Sequence, residues 1–181
     1  MKLARWLRNP RNRLDIVAGL VDGVLNALIL AAGRMLKAAG ADLTLAIRVG
    51  AATGLTTLFV FFVAHYAELR AELTEAEREL SLLSHGRLAA SRLGRRALIS
   101  AASGAALAAA CGVFGAVGAL AICALAPRPR GAGLVIVVLL LGGLGALLAR
   151  SFHGSRLLWG LSLAAGGALL TWIGVQLNIA G

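Results

Sequence analysis

The sequence predicts an all-α membrane protein: five transmembrane helices, the second extended as a cytoplasmic amphipathic helix, in one membrane domain covering residues 1–181. Three observations predict it. Mean hydropathy is +0.84 and 59% of the 181 residues are hydrophobic, more than a soluble domain carries. Five stretches approach or exceed the roughly 20 apolar residues that cross the hydrocarbon layer as a helix, and they are apolar on every face, unlike the alternating strands of a membrane barrel. Lys and Arg are unevenly shared among the segments between those stretches.

The first span, residues 16–32, follows a basic segment holding Lys2, Arg5, Arg8, Arg11 and Arg13. A secretory signal would also place basic residues before an apolar run. This run is long, contains Asp22 and Asn26, and lacks a clear small-residue cleavage site, so it reads as a span. Asp22 stands near its start, where an ionised carboxylate costs at least a few kcal/mol unless something compensates it. A cation, a proton or a polar cavity would do so, and Asn26 one turn later adds an oxygen ligand on the same face. The plainer alternative is a shallow Asp22 paired with a nearby arginine.

A turn over Arg34 to Asp42 leads to the second span, residues 43–66. From residue 67 to 96 the chain is polar and continues as a helix. Leu69, Leu73, Ala76, Leu80 and Leu83 recur at three and four residues and form an apolar stripe. Glu68, Glu72, Glu75 and Glu79 line another face at the same spacings. Like charges so placed destabilise a helix by a few tenths of a kcal/mol each. A row of hard oxygen ligands suits a divalent metal such as Mn²⁺ or Fe²⁺; a solvated face neutralised by the loop's own arginines is the alternative. Glu77 lies off that row and reads as solvated. His65, at the end of the second span, could ligate a transition metal or pass a proton, or be simply interfacial. His85 and His153 read as loop residues.

The third span, residues 97–126, has no ionisable side chain except Cys111 and Cys123, which lie about 18 Å apart along a helix and cannot pair within it. Pro127 to Arg130 form a turn stiffened by two prolines. The fourth and fifth spans cover 131–149 and 157–179. Gly19 and Gly23, like Gly50 and Gly54, are four residues apart on one face, the spacing of helix contacts within a subunit or across a dimer.

The net charge of +10 has a topological explanation that needs no nucleic acid. Thirteen of the 18 Lys and Arg fall on the side of the N-terminus and the second loop, and five on the other. This places the N-terminus in the cytoplasm and the C-terminus outside. Histidine is scarce, and HExxH, GxSxG and a glycine-rich phosphate loop are all missing, so nothing points to an enzyme. The bias toward Ala, Arg, Leu and Gly suggests a bacterial chain and hence the plasma membrane.

Several segments together resemble the vacuolar iron transporter family. Asp22-Gly23 and Ala32-Gly33 stand as in the family's first span, and AHYAELRAELTEAEREL, with Tyr66 and its glutamates, resembles the end of its second. The closing run GALLARSFHGSRLLWGLSLAAGGALLTWIG resembles its small-residue hairpin. The chain departs from the family at His65, where a glutamate precedes the tyrosine, and at Phe61, where a methionine stands. The resemblance implies a five-span homodimer without a permanently bound cofactor that moves Fe²⁺ or Mn²⁺ against protons. Asp22 would be the membrane site, Asn26 and His65 would assist, and Glu68, Glu72, Glu75 and Glu79 would recruit the metal. The changes at Phe61 and His65 favour a competing reading, a non-transporting assembly or regulatory partner of the same fold.

Overall fold

The computed structural model describes residues 10–35, 43–79, 91–126, 131–151 and 155–177. They form five helices: α1 Pro10–Met35, α2 Leu43–Glu79, α3 Arg92–Leu125, α4 Ala132–Ser151 and α5 Arg156–Leu177. All five are long and apolar enough to cross a membrane, and each contains most of one expected span.

The boundaries differ from expectation where polar residues are compatible with a helix. α1 starts at Pro10, whose fixed φ suits a first helical position. Its membrane-length stretch is Asn12–Gly33, so Asp22 stands at mid-span and not near the start. α2 continues without a break to Glu79. Its 37 residues make about 55 Å at 1.5 Å each, well beyond a hydrocarbon layer of roughly 30 Å. Residues 80–90, with Leu80, Leu83 and His85, lie outside the described residues, as do the turn at 127–130 and His153. Arg92, Arg95 and Arg96 belong to α3, because Ser91 caps that helix by accepting a hydrogen bond from the Leu93 amide at 3.1 Å. Glu77, expected to be solvated, is only 4% exposed.

α1 is the central helix and touches the other four. α3 packs closely against both α1 and α2, which meet each other only lightly, while α4 and α5 pair as a hairpin on the other side of α1. Between helices in lipid there is little hydrophobic driving force, so association depends on close van der Waals approach, and small residues supply it. A Cβ on Gly19 would run into the Ala108 carbonyl, and one on Gly23 into the Gly112 carbonyl, so α1 and α3 cross backbone to backbone. Gly50 and Gly54 of α2 instead receive side-chain methyl groups of α3, those of Val117 and Val113. Both glycine pairs therefore serve contacts within the chain; Gly19 and Gly23 are fully covered and offer nothing to a second subunit. Below these crossings Leu28, Leu120, Val137 and Leu141 form a core with no exposed surface to speak of. The large apolar side chains left outside, among them Leu55, Phe59, Phe114, Leu157 and Trp172, fit a hydrocarbon environment. Cys111 and Cys123 are free and half-buried on α3.

Candidate functional site

Where α1 passes α2 and α3, the close crossing leaves a polar seam inside an otherwise apolar bundle. Asp22, half-buried at mid-span, is its centre. Asn26, one turn on, donates from Nδ2 to Asp22 Oδ1 at 3.3 Å. From α2, the Thr57 hydroxyl approaches Asp22 Oδ2 at 2.5 Å and also lies 2.8 Å from the Thr53 carbonyl oxygen. One hydroxyl hydrogen thus stands between two acceptors. Thr57 is 1% exposed and lies against Gly112 of α3, where a Cβ would stand in van der Waals contact with Oγ1 at 3.4 Å. Among the described residues no Lys or Arg forms an ion pair with Asp22, so the alternative of a shallow, arginine-paired carboxylate finds no partner there.

A second polar group lies about two helical turns toward the start of α1. Asp15, 3% exposed, contacts His65 Nε2 through Oδ1 at 3.3 Å, joining α1 to α2. Gly104 of α3 makes room for the pair: a Cβ there would lie 2.8 Å from Asp15 Oδ2 and 3.0 Å from His65 Nδ1. Phe61 packs edge-on against the imidazole with ring centres 5.8 Å apart. His65 is therefore separated from Thr57 by eight residues, about 12 Å along α2, and is not part of the Asp22 group.

The glutamates stand further out on α2. Glu68, Glu72 and Glu75 are exposed, and Glu79 ends the helix. Arg70, in the same stretch, donates to the Tyr66 hydroxyl at 3.2 Å. The residues singled out in the sequence thus occupy three places: Asp22 with Asn26, His65, and the glutamate row. Among the described residues no three His, Cys, Asp or Glu side chains converge in a way that could hold a metal ion. The oxygen groups around Asp22 are a carboxylate, a side-chain amide and a hydroxyl, a set suited to hard cations and to protons.

On the side of the seam away from Asp15, a cavity of about 320 Å³ opens between the second half of α1 and the first half of α2. It is an open and mostly apolar cleft, in which Asn26, Thr53 and Thr56 supply polar groups beside Ile29, Leu30 and Val49. A second cavity, about 380 Å³, is lined almost wholly by apolar side chains of α1, α3 and α4, including Val24, Phe114 and Leu140.

Sequence reasoning missed Asp15, Thr53, Thr57 and Gly104. Asp15 precedes Asp22 by seven residues, a spacing that puts both on one helix face, and Thr53 and Thr57 are four apart on another; these were the available signals. Thr57→Val keeps the volume and removes the donor to Asp22. We expect it to lower stability by about 1–3 kcal/mol, the cost of a polar group left without its partner. Thr57→Ser should restore most of it, as read from unfolding in detergent.

The arrangement defines a multi-pass helical membrane protein with a carboxylate-centred seam through its middle. Comparison of the chain with protein families, curated proteins and solved structures returns no match.

Proposed function

We propose that this protein carries a divalent cation, Fe²⁺ or Mn²⁺, across the bacterial plasma membrane in exchange for protons, as the vacuolar iron transporter family it resembles does. The observation that supports this best is Asp22: a carboxylate at mid-span, turned to oxygen groups on α1 and α2, with no cationic side chain among the described residues neutralising it. Such a group is costly in a bilayer unless ions or protons reside on it during function.

In this reading the N-terminus and the outer end of α2 are cytoplasmic. That end forms an amphipathic helix whose Glu68, Glu72, Glu75 and Glu79 gather metal. Asp22, Asn26 and Thr57 receive it within the membrane, and protons return as the carboxylate releases it. The functional unit is a homodimer whose contacts involve faces other than Gly19 and Gly23.

Proteoliposomes test this. With a pH gradient imposed, vesicles containing the protein should take up Mn²⁺ faster than empty vesicles and dissipate the gradient as they do so. Uptake indistinguishable from empty vesicles for both Mn²⁺ and Fe²⁺ would leave the second reading, a non-transporting partner of the same fold. That reading is favoured by His65, whose Nε2 is taken up by Asp15.

A further inference from the structure

The two ends of the seam differ. On the Asn26 side an open cleft, mostly apolar but lined by Asn26, Thr53 and Thr56 as well, reaches the residue that hydrogen-bonds Asp22. On the Asp15 side the space between the three helices is filled. Asp15 and His65 meet across it at 3.3 Å, their side chains 4% and 15% exposed. A methyl group on Gly104 would press on both side chains and displace them, and the Phe61 ring stands edge-on to the imidazole with ring centres 5.8 Å apart. Between this pair and Asp22 the Gly19 and Ala108 backbones are in direct contact.

We propose that the Asp15–His65 pair, seated on Gly104, is a closure that seals the seam on its own side, so that Asp22 is reached from the Asn26 cavity alone. The proposal rests on the reading of Asp22 as the ion site and adds the element that makes access to that site one-sided. The imidazole occupies the place beside the Asp15 carboxylate where a cation arriving from that end would stand, so passage requires α1 and α2 to part there. Transporters with a fixed mid-membrane site work by opening it to one face at a time, and a pair that bridges two helices is a contact that such a movement breaks. Asp15, His65 and Gly104 are in this sense positioning residues that govern access without being part of the Asp22 group.

Access can be measured without metal. In a background with Cys111→Ala and Cys123→Ala, Asn26→Cys places one thiol on the cavity wall, and a membrane-impermeant trimethylammonium thiosulfonate is applied to either face of oriented vesicles. With the native pair, modification should occur from the Asn26 face only. His65→Ala should raise the rate from the Asp15 face by about tenfold or more, since thiol modification follows access. His65→Gln, which still presents a donor to Asp15, should stay closed. Asp15→Ala, which vacates the same space from α1, serves where His65→Ala does not fold. Modification from both faces with the native pair, or no rise in either opening variant, would overturn the proposal. So would failure of both to fold, which would make the pair a structural brace. With one-sided labelling, absence of Mn²⁺ flux by the native chain, in which Asn26 is intact, would refute transport and leave the closure standing; flux by the native chain with two-sided labelling would do the reverse.

Discussion

Gly23→Ala is expected to destabilise the bundle by about 1–3 kcal/mol or more, the cost of forcing extra volume into a packed interface. The added methyl group would collide with the Gly112 carbonyl oxygen, and backbone cannot rotate aside as a side chain can. Relief requires α1 and α3 to separate along their whole crossing, which also draws Gly19 away from Ala108 and removes the dispersion contacts that hold helices together in lipid. Gly118→Ala on α3 is the matched control, because a Cβ there meets nothing within 4 Å. It should change stability by less than about 0.5 kcal/mol. Unfolding midpoints of the two variants in the same detergent check this. Equal midpoints would mean that the α1–α3 crossing is looser than described.

The same crossing explains what could be read from the sequence and what could not. Five spans are a one-dimensional property, length and apolarity, and the helices follow it closely. The Asp22–Asn26 contact is also local, since residues four apart on a helix are neighbours whatever surrounds them. Thr57 is different. It meets Asp22 only because α3 stands between α1 and α2 and fixes which face of α2 turns inward, and nothing in the α2 sequence reveals that rotation. His65 read as a ligand or an interfacial residue for the same reason; its neighbour Asp15 lies one residue before the apolar run that marked the first span. Glu77 failed as a surface residue because helical spacing states which residues share a face, and not which face another segment covers.

Asp22→Asn is the substitution with the largest expected functional effect. Asparagine preserves the size of the side chain and an oxygen for the Thr57 hydroxyl, so the hydrogen bond linking α1 to α2 can persist. What it removes is the negative charge at mid-span, the one property that would hold a divalent cation against the loss of its hydration there. Replacing Glu72 or Glu75 removes one of several exposed carboxylates far from mid-span and should weaken uptake only at low metal concentration. The decisive measurement is Mn²⁺ uptake by proteoliposomes under a pH gradient for the native chain and Asp22→Asn, with unfolding midpoints taken on the same preparations. Uptake that falls to the level of empty vesicles while the midpoint stays unchanged is the predicted result; undiminished uptake by a folded Asp22→Asn protein would contradict the role given to this carboxylate.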